Sequence, residues 1–320
     1  MFVIFENYRT DLEQKKSLDE IEKRIMDYEK EVSGKNDVYS LSYDVIKQII
    51  KNLPNGKSKG FSDTSNEMFK YGACETLIKI IKKFMEKIIQ FGKIPKFFNI
   101  GIIKPIVKDD QKSANDLNNI RPITIYDTIS NIFEKIILNE ISKTHEDPNK
   151  QFGFKKNSSC SHAVFTVKET INFYNRKNKR VFGCAIDASK AFDKVNRMIL
   201  FEKLIDKIHY QIWRSLKTYY ESSMAIVQNG NEVSNLFKTT IGVKQGGPLS
   251  AKLFSVYAED IIRELEERNI GTKIHETYTG VTMYADDILL LSPNIKELQD
   301  AINVCENFGL KNEIKFNPEK

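Results

Sequence analysis

The chain has 320 residues, 41% of them hydrophobic and 29% charged, which is ordinary for a soluble globular protein with two or three subdomains. Its net charge of +6 is a mild basic bias that suits an anionic partner such as nucleic acid. A Lys-, Asn- and Ile-rich coding bias would give the same charge, so charge alone decides nothing. Cys74, Cys160, Cys184 and Cys305 are scattered and form no CxxC pair, which argues against a zinc site or a disulfide framework and for free thiols. The opening "MFVIFENYRT" is too short in apolar residues for a signal peptide, and no run reaches the length of a membrane span. An intracellular protein of the cytoplasm or nucleus is expected, with no membrane partner.

Residues 11–31 are highly charged, with Leu12, Leu18, Ile21, Ile25 and Met26 as one helical stripe. The stretch 55–69 is a polar loop in which Asp63, Thr64 or Ser65 can cap a helix. Residues 75–92 form an amphipathic helix stopped by Gly92. Strands are expected at 100–108, where Pro105 marks an edge or bend, and at 120–125. Helices follow at 130–141 and 161–175. "VFGCAID" (181–187) is a nearly continuous apolar strand, and the next helix carries Phe192, Val195, Ile199 and Leu204 on one side. A hairpin is expected at 225–233 around "NGN", then a strand over 236–250 running into a Gly-Gly-Pro break. Leu253, Phe254, Tyr257, Ile261 and Leu265 share a helix face, and a last helix over 296–308 stops at Gly309. No internal repeat is visible. Trp213 reads as packing, and His145, His162, His209 and His275 show no ligand spacing.

One stretch resists a purely structural account. "MYADDILLL" (283–291) is two short strands around a tight turn, yet it sets Asp286 and Asp287 among apolar residues. Burying a carboxylate there costs several kcal/mol unless something compensates it. Aspartate is also a good turn former, which explains the dipeptide alone. A second apolar strand, however, ends on Asp187 in "AIDASKAFD". If the strands are neighbours, three carboxylates converge and require cations. Mg²⁺ is the expected ion, since it takes hard oxygen ligands alongside substrate phosphates. Two such ions would clamp an in-line phosphoryl transfer.

At these residues the chain resembles the reverse transcriptases, specifically the non-LTR (LINE-type) retrotransposon branch. "YADD" (284–287) resembles the catalytic hairpin, "AIDASKAFDKV" (185–195) the first aspartate motif and "GVKQGGPLS" (242–250) the Gln-Gly motif. "IIKPIVK" (102–108), "LNNIRPITI" (117–125) and "QFGFKKNSS" (151–159) are similar to upstream segments, and "GFSDTSNEMFK" (60–70) matches more loosely. The resemblance covers roughly 55–320 in family order. It implies an α+β right-hand polymerase fold. The charged helical extension would be 1–35, the fingers (with part of the palm) 36–180, and the palm, with its antiparallel sheet, 181–320.

The resemblance also implies roles. Asp187 and Asp286 would hold two Mg²⁺ ions, with Mn²⁺ as a possible substitute, and Asp287 would support the site. A primer 3′-hydroxyl would attack the α-phosphate of a dNTP on an RNA template. Phe192 would exclude a ribose 2′-hydroxyl, Gln245 and Gly246 would line nucleotide and template, and Lys108 and Arg121 would neutralise the triphosphate. Lys155 and Lys156 stand where the family has arginine and would touch template backbone. Gly247 departs from the cysteine more usual in this branch. Lys320 would protonate the pyrophosphate leaving group. The sequence ends before the family's thumb, so a thumbless chain is expected. That leaves open a second reading, a catalytically inactive nucleic-acid-binding remnant. An RNA-dependent RNA polymerase is disfavoured by Phe192.

Overall fold

The computed structural model describes residues 11–35, 37–113, 115–155, 157–188 and 191–316. Helix α1 (Asp11–Ser33) buries Ile25 and Val32, but Met26 is 49% exposed. It sits about 100° round the helix from Ile25, off the expected stripe. α2 (Tyr43–Lys51) buries Ile46 and Ile50, one turn apart. α3 (Asn66–Tyr71) begins inside the stretch expected to be loop, because the Ser65 side chain caps it by accepting from the Met68 N–H. α4 (Glu75–Phe91) turns Ile78, Ile81, Met85, Ile88 and Ile89 inward and ends, as expected, on Gly92 at φ 61.

Strands β1 (Ile100–Val107) and β2 (Ile120–Tyr126) precede α5 (Thr128–Thr144) and α6 (Cys160–Arg176). After β3 (Phe182–Asp187) the expected single helix is two, α7 (Ala191–Lys194) and α8 (Arg197–Leu204). Asn196 breaks it: its side-chain oxygen accepts from the Met198 and Ile199 N–H groups and starts a new helix. α9 (Tyr210–Glu221) buries Trp213, whose ring meets Tyr28 edge-on. β4 (Met224–Asn229) and β5 (Glu232–Val233) form the expected hairpin, with Gly230 at φ 59 in its turn. β6 is only Phe237–Lys238; the expected strand over 236–250 is otherwise irregular backbone.

α10 (Ser250–Glu267) buries all five of its expected face residues. β7 (Lys273–Ile274) pairs with β8 (Thr277–Tyr278), and β9 (Val281–Tyr284) with β10 (Asp287–Ser292). α11 (Ile295–Asn312) runs straight through Gly309, the expected stop. A Cβ there would lie 2.7 Å from the Ile314 carbonyl oxygen and 3.0 Å from the Phe316 ring. The glycine makes room for the returning chain rather than ending the helix. Among the described residues no helix is long and apolar enough to cross a membrane.

Two compact units result, giving an α+β architecture. The mixed-sheet unit holds Arg24–His145 and Leu204–Ser250. Its five-stranded sheet runs β2-β1-β4-β5 with β6 also on β4; β1 and β4 are parallel, the other pairs antiparallel. The aspartate unit holds the described residues of 11–23, 146–203 and 251–316. Its three-stranded antiparallel sheet runs β3-β10-β9. One face, with Met283, Ile288 and Leu290, is buried, and α11 packs on β3 and β10. β3, the expected apolar strand, is an edge strand with Gly183 and Ala185 exposed. Small side chains, not burial, explain its low polarity.

Candidate active site

Alternation along a strand decides where the carboxylates go. In β10, Asp287 pairs with Tyr284 of β9 and with Asp187 of β3. Paired residues on antiparallel strands share a face, with Cβ atoms about 5 Å apart. The side chains of Asp187 and Asp287 therefore stand side by side on the open face, while Ile186 and Ile288 go to the other. The turn is Ala285–Asp286, so Asp286 projects from the tip and Asp287 already belongs to the strand. Asp187 and Asp286 are half-buried and Asp287 is exposed. Beside them runs a groove of about 690 Å³ between α6 and the sheet, lined by Val164, Val167, Ile171, Ala185, Tyr284 and Leu289 among others.

The turn carries backbone strain, since Ala285 has φ 60, where a Cβ is disfavoured. A buried amide holds it there. Gln151 Oε1 accepts from the Ala285 N–H at 3.1 Å, and Gln151 Nε2 donates to the Ala285 carbonyl at 3.3 Å. The same Oε1 accepts from the Gly153 N–H at 3.0 Å. A Cβ on Gly153 would lie 2.3 Å from the Ala285 nitrogen, so only glycine lets this segment reach the turn. Backbone bonds from Phe152 N–H to the Met283 carbonyl and from Met283 N–H to the Lys150 carbonyl, each 2.8 Å, extend the sheet by one short rung.

Phe192 on α7 is half-buried and stacks on Phe254 of α10, with centroids 4.9 Å apart and planes 24° apart. Phe154 meets it edge-on at 6.3 Å. The ring is thus contacted from two sides.

In the mixed-sheet unit, Arg121 is exposed on β2 as register partner of exposed Ile106. Lys104 lies two residues from Ile106 on the same face. Lys108, also exposed, donates to the Asn118 carbonyl at 2.9 Å. Gln245 accepts from the Thr124 N–H through its backbone carbonyl at 3.1 Å. Gly246, at φ 102, brings its Cα so near β2 that a Cβ would lie 3.0 Å from the Thr124 carbonyl oxygen. Its lack of a side chain serves that backbone approach. Lys155 donates to the Asp147 and Pro148 carbonyls. Lys156 and Lys320 lie outside the described residues.

Residues 106–320 match the family described as reverse transcriptase (RNA-dependent DNA polymerase). The chain belongs to the reverse transcriptase family. It is 23% identical over 290 residues to the RNA-directed DNA polymerase from mobile element jockey of Drosophila funebris, covering 88% of this chain and 31% of that protein. It is 23% identical over 286 residues to the transposon TX1 149 kDa protein of Xenopus laevis (88% and 22%). To the probable RNA-directed DNA polymerase from transposon BS of Drosophila melanogaster it is 26% identical over 288 residues (86% and 31%). These relatives support a LINE-type reverse transcriptase domain, and the chain spans less than a third of their length.

Two features of this reverse transcriptase chain had no assigned role in the sequence. Gln151 and Gly153 were visible only as motif letters; that they grip Ala285 depends on contacts made 134 positions away. The second is a buried ion pair. Lys244, 4% exposed, and Glu134, 0% exposed, approach to 2.9 Å. Lys244 also lies over the Tyr126 and Tyr219 rings, 3.9 and 3.7 Å from their centroids. Burial, with Glu134 next in weight, holds the Tyr219 phenol well above its usual pKa. A signal for Glu134 exists: it falls on the apolar face of α5 between Phe133 and Ile137. Lys244 gives none in a chain so rich in lysine.

Proposed function

We propose that this chain is the polymerising part of an RNA-directed DNA polymerase, joining dNTPs to a primer 3′-hydroxyl on an RNA template. The observation that carries the reading is the register pairing of Asp187 with Asp287 beside a turn that projects Asp286. Like charges directly opposite in a sheet are destabilising, so this arrangement fits a site that takes up cations. The donors are hard carboxylate oxygens, which suit Mg²⁺. Among the described residues no three His, Cys, Asp or Glu side chains form a cage by themselves. Magnesium asks only for one or two carboxylates plus water and substrate oxygens. Asp187, Asp286 and Asp287 would hold it, and once bound it supplies charge stabilisation at the reacting phosphate.

The remaining roles belong to this chain's own groups. Phe192, braced by Phe254, walls the space of a ribose 2′-hydroxyl. Arg121 and Lys108 meet triphosphate oxygens. Gln245 and Gly246 border nucleotide and template. Lys320 hands a proton to the departing pyrophosphate.

The test is primer extension by the purified chain on an RNA template with dNTPs and Mg²⁺, beside Asp286→Ala. Extension by the wild type that vanishes in a folded Asp286→Ala protein is expected. Equal extension by the two would sink the aspartate assignment, and a folded wild type that extends nothing would favour the inactive remnant. Phe192→Val should raise NTP use relative to dNTP by about tenfold or more; an unchanged ratio removes the wall.

A further inference from the structure

We infer that the buried Lys244–Glu134 pair is a positioning device for the Gln245–Gly246–Gly247 loop, and through it for the nucleotide. This rests on the role proposed above for Gln245 and Gly246. Glu134 reaches the loop three times. Its Oε1 accepts from Lys244 at 2.9 Å, its Oε2 accepts from the Leu249 N–H at 3.4 Å, and Oε2 fills the place of a Gly247 side chain, whose Cβ would sit 2.6 Å away. The Tyr219 hydroxyl donates to the same carboxylate at 2.9 Å. An ammonium has three donors. Those of Lys244 go to Glu134, the Asn99 side-chain oxygen and the Tyr219 hydroxyl. The Lys244 carbonyl in turn accepts from the Ser250 hydroxyl and the Gly247 N–H, closing the loop on itself.

Residues 239–249 are neither helix nor strand, so this segment lacks a ladder to fix it. A buried ion pair adds little net stability over an apolar pair of similar volume, because desolvation offsets the attraction. What it supplies is direction: an ammonium with three fixed partners and a carboxylate with both oxygens used admit one placement of residue 244. The two residues after Lys244 are then delivered to β2, where the Gln245 carbonyl accepts from the Thr124 N–H.

The test compares wild type with Glu134→Leu plus Lys244→Met, which removes both charges together. Either single change leaves a lone buried charge and can cost folding. Hydrogen exchange of amides 245–249 and dNTP KM and kcat in primer extension are both read. The double variant should melt close to wild type and keep α5 and α9 protected. Its loop amides should exchange about tenfold faster or more. Its dNTP KM should rise about tenfold while kcat changes far less. Wild-type loop protection in the double variant overturns the inference, and so does a loosened loop with wild-type KM. Should the wild type extend no primer, the proposed function falls, and exchange alone judges the pair as clamp: loosening supports it, unchanged protection overturns it.

Discussion

The turn at Ala285–Asp286 and the loop at Gln245–Gly247 are each held by one buried side chain from far away in sequence, but the chemistry of the grip differs. Gln151 holds the turn with a neutral amide, donor and acceptor together. Glu134 holds the loop with a charge, answered by Lys244. Each grip has a glycine beside it, Gly153 and Gly247, where a side chain would collide. A charged clamp next to Asp286 would repel or neutralise the neighbouring carboxylates. A neutral amide satisfies the strained backbone and leaves that field alone. No such demand applies within the aromatic box of Tyr126 and Tyr219, so an ion pair serves there.

The sharpest way to break this comparison is to crowd both grips. In Gly153→Ala the new Cβ meets backbone at 2.3 Å, and backbone cannot swing aside. A loss of about 3 kcal/mol is expected, with primer extension lost alongside. In Gly247→Ala it meets the tip of the Glu134 side chain rather than backbone, so a smaller loss of about 1 kcal/mol, with the clamp loosened, is expected. Urea unfolding of both variants measures this; equal losses would mean the two seats are alike.

Next comes the amide itself. Gln151→Ala leaves the Ala285 N–H and carbonyl without the partners they have, at about 2 kcal/mol. Extension should fall further than that stability loss explains, since Asp286 follows Ala285 directly. A variant that loses stability but extends at the wild-type rate would make Gln151 a packing residue.

The smallest effect is alkaline. Burial raises the Tyr219 phenol above its ordinary value, with Glu134 adding to it, and burial likewise raises Tyr257 and Tyr278. Burial pushes the Cys305 thiol up to about 12. In each case the folded state keeps a proton that the unfolded chain releases at about pH 9–10. The stabilisation is therefore fully present below that range and is lost progressively as pH rises from there through the raised folded values, about 12 for Cys305. Melting temperature should be level up to about pH 9 and fall beyond. Tyr219→Phe should soften the fall; an identical decline would show that the mixed-sheet unit does not feel its phenol.

Much of this architecture is legible in the sequence. Strong periodicity marked α4 and α10, and paired apolar strands around a short turn marked β9 and β10. The aspartate pairing followed once β3 and β10 were taken as neighbours. Glycines are the hardest residues to read. Gly309 reads as a stop but is a seat for Phe316, and the close approach of Gly246 to Thr124 leaves no sign in the sequence. A glycine says that something comes close, and a sequence does not say what. The split between α7 and α8 was hidden for a similar reason, because the capping role of Asn196 depends on where its side chain turns.

Pro105 has a consequence for how the chain is made. It lies on β1 beyond the reach of β4, which pairs only with Ile100–Ile103, and opposite Pro122 on β2. β4 is translated well over a hundred residues after β1, so a nascent β1–β2 ribbon would wait about ten seconds on the ribosome with its β1 edge bare. Over its outer half that edge offers a proline with no N–H and a lysine, Lys104, just before it. Both discourage a neighbouring nascent chain from docking there. Replacing Pro105 would leave the finished sheet nearly unchanged and would show itself as lower soluble yield during synthesis.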